Sequence, residues 1–173
     1  MTPNPYRTMA LNNAWANATL YGAIAGMSAA EFAAPRPGFF PSLRETLNHI
    51  HEVDLYYVDA LEAGGRGRSV YEREEIAQVA DLARAQADVD LRFARFCSDL
   101  TEETLTQTRI TERQDGPVQE EVGALILHLV QHQIHHRGQA HTMVLEAGID
   151  PPQLDDFHLQ FGRVPSARAY WGG

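Results

Sequence analysis

The sequence predicts an all-α chain folded as a four-helix bundle, with one longer connection between the third and fourth helices. Three observations carry this. Four segments place apolar residues at alternating spacings of three and four, the period of a helix face buried on one side. Gly- and Pro-rich punctuation separates them. The only strand-like alternation, Leu105 to Ile110 with Thr106 and Thr108 between, lies in the last connection and ends at the turn sequence Gln114-Asp-Gly-Pro117, so that an extended excursion or short β-hairpin is expected there.

The first helix is expected from Pro3 to about Met27, with Met9, Trp15, Leu20 and Ile24 available for burial. Ser28-Ala-Ala-Glu31 has the spacing of a capping box, in which the serine and glutamate side chains satisfy each other's backbone N–H. Pro35-Arg-Pro-Gly38 is a loop. The second helix runs from about Pro41 to Leu61 on the stripe Leu43, Leu47, Ile50, Asp54, Tyr57, Leu61, and Gly64-Gly-Arg-Gly67 ends it. The third, about Glu72 to Leu100, has the cleanest heptad, Val79, Leu82, Gln86, Val89, Phe93, Phe96, Leu100. The fourth spans about Gln119 to Glu146 and stops at Gly148. Pro151-Pro152 opens a tail with at most one short helix, near Leu154 to Phe161. At 173 residues, without an internal repeat, residues 1–173 are expected to form one domain.

Composition narrows the functional classes. The formal net charge is −9, with 14 basic residues against 23 acidic ones, and no basic stripe is interleaved with aromatics. Nucleic-acid binding, which depends on Lys and Arg neutralising phosphates, is not expected. No apolar run reaches membrane-spanning length, and Met1 to Tyr6 lacks the basic-then-apolar pattern of a signal peptide. Cys97 is the only cysteine. No intrachain disulfide can form, and the reducing cytoplasm is the expected location. Between Phe96 and Leu100 the thiol reads as buried and inert.

The fourth helix carries the chemistry. His128, His132, His135 and His136 put four of the eight histidines into nine residues. The stripe Val122, Leu125, Leu129 continues through His132, His136, Gln139 and Met143. Imidazoles thus replace aliphatic side chains in mid-stripe, where an unpartnered polar group costs about 1–3 kcal/mol. Two such substitutions one turn apart suggest a shared partner, and a metal ion is the simplest. A metalloprotease is excluded: its general-base glutamate would follow the first histidine, where this chain has Gln133. A third ligand should come from another helix. His49 neighbours the apolar stripe of the second helix, whereas His51 points nearly opposite, and both histidine groups lie about ten residues into their helices. His49, His132 and His136 are therefore the expected metal ligands, with His128 and His135 peripheral, and His51, His141 and His158 read as hydrogen-bonded side chains.

Catalytic residues stay open. Asp54 is a candidate for orienting a ligand, although a buried hydrogen bond to Asn13 or Trp15 suits it better. Glu45, one turn before His49, is a candidate base near bound water, and a solvated glutamate is an equal reading. Arg137 binds an anion or pairs with an acid. Gln86 and Gln139 face the site or each other.

With these residues in hand, the chain resembles the DinB-like superfamily, also called DinB/YfiT-like metalloenzymes. The resemblance covers nearly the whole chain. It rests on Asn13-Ala-Trp-Ala-Asn17, Thr46-Leu-Asn-His49-Ile50 with Asp54, His132-Gln-Ile-His-His136-Arg-Gly-Gln139 and Glu146-Ala-Gly-Ile-Asp-Pro-Pro152. The combination is specific where no single piece is. It implies a four-helix bundle holding a divalent ion on a histidine triad, which maps onto His49, His132 and His136. It also implies a homodimer and, from some relatives, a thiol-dependent transferase or isomerase acting on a small molecule with a low-molecular-weight thiol. Nickel or zinc leads among metals, with manganese and iron open, because an all-imidazole site accepts several. A hydrolase, and a non-catalytic metal-binding stress-response protein, are the alternatives.

Overall fold

The computed structural model describes residues 4–159 and 164–171. Four long helices, α1 (Pro5–Ala23), α3 (Leu43–Leu61), α4 (Val79–Ser98) and α6 (Val122–Glu146), form the bundle. The short helices α2 (Ala29–Phe32) and α5 (Glu102–Thr106), the strands β1 (Thr108–Arg113) and β2 (Gly116–Glu121), and a C-terminal turn α7 (Arg168–Trp171) complete it. α1 packs on α4 and α3 on α6, while α3 also meets α4 and α1 meets α6. The helices therefore run α1, α4, α3, α6 around the bundle.

The helix ends follow local chemistry. The Asn4 side chain caps α1 by accepting from the Arg7 N–H at 3.1 Å. Ser28 and Glu31 form the expected capping box, with the Glu31 N–H donating to Ser28 Oγ at 3.2 Å and the Ser28 N–H to Glu31 Oε2 at 2.8 Å. α6 ends where Gly148 adopts φ 75°, and the Gly148 and Ile149 N–H groups donate to Leu145 and Val144 carbonyls at 2.9 and 3.2 Å. This is a Schellman closure, which a left-handed residue makes possible.

The third long helix starts at Val79 rather than Glu72. Asn48 explains the difference. Its side chain accepts from the Ile76 N–H at 2.8 Å and donates to the Ile76 carbonyl at 3.0 Å, acting like a neighbouring strand and holding the connection extended despite its helix-prone Glu72-Arg-Glu-Glu75. The expected hairpin is present, pairing Thr108 with Glu121 through Arg113 with Gly116, but its first strand starts at Thr108 rather than Leu105, because Thr101 caps the helical turn α5, which takes Leu105 and Thr106. It takes residues 116–121, so α6 begins at Val122 rather than Gln119. The Tyr56 hydroxyl fixes it to α3, donating to the Glu112 carbonyl at 2.8 Å and accepting from the Glu112 N–H at 2.7 Å. The tail carries no helix over 154–159, residues 160 and 161 lie outside the described residues, and its helical turns fall at Pro165–Ala167 and Arg168–Trp171.

Within the bundle a polar layer separates two apolar ones, and a third, smaller cluster packs Trp15 and Ala16 of α1 against Phe157 and Ala167 of the tail. One layer gathers Tyr57, Leu61, Val89, Phe93, Leu125 and Leu129; the other gathers Leu20, Ile24, Leu47, Leu82, Met143 and Val144. Each bundle helix passes from one to the other through buried polar residues: Asn13 and Asn17 on α1, Asp54 on α3, Gln86 and Asp90 on α4, Gln133 and Arg137 on α6. No helix among the described residues is long and apolar enough to cross a membrane.

Candidate metal centre

α3 and α6 lie side by side, and beside the polar layer they bring His49, His132 and His136 together. One ring nitrogen from each is within 4.8 Å of the other two. Ring centroids are 5.0 Å apart for His49 and His132, 4.7 Å for His49 and His136, and 4.5 Å for His132 and His136. His49 Nε2 faces His132 Nε2 at 3.1 Å. Two nitrogens bound at about 2.0–2.1 Å to one ion stand roughly 2.8–3.4 Å apart for octahedral to tetrahedral angles, so that separation fits a shared ion.

Protonation state favours the same use. Burial, then the neighbouring His136, lowers the His49 pKa to about 4. Burial and the surrounding imidazoles lower His132 to about 3, and His136 is lowered chiefly by burial. At neutral pH all three offer lone pairs, the form a metal requires. His136 Nδ1 lies 2.8 Å from Gln139 Oε1, an acceptor only, so Nδ1 carries the proton and Nε2 is left free. Gln139 Nε2 in turn lies 3.1 Å from His135 Nε2 and donates to it. His132 Nδ1 is buried without a partner among the described residues.

Two aromatics from the α2–α3 loop line this cluster. The Phe40 ring packs on His49 with centroids 4.5 Å apart and lies 5.8 Å from His136. Phe39 lies 6.2 Å from His136 and is 76% exposed. Sequence reasoning missed both, because a Phe pair in a loop has no periodicity to mark it.

His128, His141 and His51 lie outside the trio; the hydrogen bond expected of His141 is present, whereas the buried His51 Nδ1 has no partner among the described residues. His128 is exposed, packs on Tyr57 at 4.9 Å and stays 6.2 Å from the His132 ring. His141 bonds the Pro152 carbonyl at 2.9 Å. His51 is buried on the opposite side of α3, its pKa lowered to about 4 by burial and then by Arg73. Glu45 accepts from the Ser42 hydroxyl at 2.7 Å at the start of α3. Cys97 is fully buried, which pushes its thiol up to about 12.

Behind the histidines is a buried network that the sequence showed only in fragments. Arg137 Nη1 donates to Asn13 Oδ1 at 2.7 Å, Asn17 Oδ1 at 2.9 Å and Gln133 Oε1 at 3.3 Å. The amides turn their NH2 groups toward the carboxylates. Asp90 accepts from Asn13 at 3.2 Å, from Asn17 at 3.1 and 3.0 Å, and from Gln86 at 3.0 Å. Asp54 accepts from Gln86 at 2.7 Å and from Gln133, both on Oδ2, and its buried Oδ1 has no partner among the described residues. Asp54 thus bonds neither Asn13 nor Trp15, whose indole donates to Ser166 Oγ at 3.0 Å. Arg137 reaches the acids through amides rather than directly, and Gln86 meets Asp54 and Asp90 rather than Gln139. Two buried carboxylates share one buried guanidinium. Burial raises both acids, Asp54 well above the usual range and Asp90 to about 6, and lowers Arg137 to about 10.

The comparisons agree with this architecture. Protein DinB of Bacillus subtilis (strain 168) is 24% identical over 145 residues, covering 79% of this chain and 82% of that protein. Nestin of Rattus norvegicus is 29% identical over 120 residues, 66% of this chain but 6% of nestin, a share too small for a functional argument. The crystal structure of a DinB-like protein from Bacillus cereus ATCC 10987 superposes with a TM-score of 0.62 at 16% identity, over 80% of this chain and 90% of that one, and supports the fold. The DinB family model matches residues 1–164, and the chain belongs to the DinB family.

Proposed function

We propose that this protein is a metal-dependent enzyme whose divalent ion is held by His49, His132 and His136 within a single domain spanning residues 1–173. The observation that carries the reading is the convergence of three imidazoles, neutral at working pH, within 4.8 Å of one another. A divalent ion on three neutral ligands supplies a Lewis acid that lowers the pKa of a thiol or water and polarises a carbonyl. The chain's own residues do the rest. Gln139 holds the His136 proton on Nδ1 and so fixes which nitrogen faces the centre. Arg137 and Gln133, neighbours of His136 and His132 in sequence, lock α6 to α1 and α3. Phe40 covers one flank of His49, and the exposed Phe39 offers an apolar contact for substrate.

The substrate in this reading is a small electrophile transferred to, or isomerised with, a low-molecular-weight thiol; hydrolysis uses the same centre. Nickel or zinc is the preferred ion, with manganese or iron also compatible with imidazole nitrogen. The protein works as a homodimer in the cytoplasm. A second reading, a non-catalytic metal-binding protein, is favoured by one observation: Glu45 is engaged by Ser42 and Asp54 by Gln86 and Gln133, leaving neither carboxylate as an evident base.

Elemental analysis of tag-free wild type and His132→Ala tests the site. About one ion per chain in the wild type, lost in the variant, is the expected result, after which turnover is screened with thiols and electrophiles. No stoichiometric metal after reconstitution with nickel, zinc or manganese overturns both readings. Metal without turnover leaves the second.

A further inference from the structure

The bundle uses only part of the Arg137 guanidinium. The side chain is 5% exposed, yet all three of its hydrogen bonds leave from Nη1, to the amide oxygens of Asn13, Asn17 and Gln133. Nε and Nη2 donate to nothing among the described residues, and neither belongs to the unpartnered polar atoms that are cut off from solvent. Both therefore keep some accessible surface. Together they form one edge of the planar fork, whose two parallel N–H groups match the two oxygens of a carboxylate. Among the described residues no Asp or Glu forms an ion pair with this guanidinium. Buried charges are ordinarily paired, but Asp90 meets Arg137 only through the amides of Asn13 and Asn17.

Arg137 also lines a cavity of about 570 Å³ between α1, α6 and the tail. Its volume falls within the usual range for small-molecule pockets, roughly 300–1,000 Å³. Met9 of α1, Ile134 of α6 and Leu154 of the tail give it apolar walls, and the histidine trio takes no part in it. The tail is held in place as a wall: His141 Nε2 donates to the Pro152 carbonyl at 2.9 Å. We propose that this cavity binds a small organic monocarboxylate on the Nε–Nη2 edge of Arg137, with the ligand's apolar body against Met9, Ile134 and Leu154.

Donor geometry and charge select the head group together. Burial lowers Arg137 only to about 10, so at neutral pH it is a cation with donors and no acceptor. An ammonium would meet like charge and donors. An alcohol oxygen neutralises nothing and cannot span both N–H groups. A carboxylate does both and becomes the direct counter-ion that the fold withholds. A phosphate dianion is disfavoured, because two carboxylates already stand near: Asp90 behind the amides, and the exposed Asp155 at the cavity wall, which accepts from the Gln153 amide.

The test is calorimetric titration of the full, metal-free chain at pH 7 with 3-phenylpropanoate, 3-phenylpropan-1-ol and phenyl phosphate, alongside the Arg137 Nε–H resonance in ¹⁵N-labelled protein. The carboxylate is expected to bind with a Kd of about 1 mM or tighter, at least about tenfold better than either other probe, and to shift that resonance where the alcohol does not. Arg137→Met, its fold checked by circular dichroism, should lose the binding. Gly138→Leu decides the matter if that variant unfolds: Gly138 lines the cavity and a Cβ there meets nothing within 4 Å, so leucine suits the helix and takes up ligand space, weakening the carboxylate by at least about tenfold. His132→Ala should leave its affinity unchanged, which separates this cavity from the histidine centre. Neither heat nor a shifted resonance at about 10 mM carboxylate, equal or tighter binding of the alcohol or phosphate ester, undiminished binding in Gly138→Leu or folded Arg137→Met, or loss of binding in His132→Ala overturns the proposal.

Discussion

Replacing Arg137 with Met should cost about 3–5 kcal/mol of stability without removing a metal ligand. The side chain is 5% exposed, and methionine fills a similar path while removing the charge and every donor. Asn13 Oδ1 and Asn17 Oδ1 lose bonds of 2.7 and 2.9 Å, and Gln133 Oε1 loses its weaker one at 3.3 Å. Two good buried acceptors at about 1–3 kcal/mol each give roughly 2–6 kcal/mol. Asp54 and Asp90 also lose their guanidinium, a change typically worth about 3–5 kcal/mol for a buried charge left unpaired. The two figures describe one event and are not additive. Against a total of about 5–15 kcal/mol, the loss is a large share.

Urea unfolding followed by circular dichroism reads it directly. With a slope of about 2 kcal/mol per molar urea, the midpoint should fall by about 2 M. The measurement is made both in chelator and with saturating zinc, because a bound ion adds its own stabilisation. A midpoint shift below about 0.5 M in both conditions would refute the view that Arg137 closes the polar layer. Asp90→Asn in the Arg137→Met background should recover at least about 1 kcal/mol relative to additivity, since it removes a charge that the first substitution stranded.

Gln139→Leu removes the acceptor on His136 Nδ1 and should weaken metal affinity by about 10–100-fold in chelator competition, with little change in unfolding midpoint. Raising the Asp90 pKa from 3.8 to about 6 means that its contribution is fully present below pH 3.8 and is lost as pH rises through 6. The wild type should therefore lose up to about 3 kcal/mol relative to Asp90→Asn between pH 3.5 and 7, and a flat difference would count against it. The lowered His49 and His132 values act in the opposite sense: the apo protein binds no proton there until well below pH 6.5. Metal affinity should thus fall less than about tenfold from pH 7 to 5.5, where three ordinary histidines would lose roughly 600-fold.

The bundle could be read from the sequence because its signals are local. Apolar stripes, the Ser28 box and Gly148 each follow from residues within a turn or two of one another. The misplaced start of the third long helix has a non-local cause. Glu72 to Gln78 has the composition of a helix and is held extended by Asn48, 28 residues earlier than Ile76. The histidine trio was legible for a related reason: His132 and His136 announce each other at one-turn spacing, and His49 needed only a neighbouring stripe. Their placement at the centre of the buried face was less accurate. An apolar stripe stepping by three and four drifts on a 3.6-residue helix, and by the middle of α6 the deepest positions are Gln133, Arg137 and Ala140, with His132 at the margin. Asp90 gave no sequence signal, because it sits beside Val89 in a heptad whose apolar members suffice to describe it.

That rotation divides the work of α6 between two adjacent faces. The margin presents imidazoles to the loop aromatics, where a ligand can arrive, and the centre presents Gln133 and Arg137 to the other three helices. An entirely apolar centre could repack and slide, since side chains of similar volume exchange at low cost. A centre in which Asn13, Asn17, Asp54, Gln86, Asp90, Gln133 and Arg137 must all find one another has one register of high satisfaction. A shift of α6 by a single turn would leave a guanidinium and two carboxylates mismatched. The polar layer, costly in isolation, fixes the height of α6 against α3 and therefore the distance from His49 to His132 and His136. On that argument a hydrophobic replacement of the whole layer would give a bundle that is equally or more stable but whose three imidazoles no longer converge, and metal affinity, not unfolding, is the measurement that would expose it.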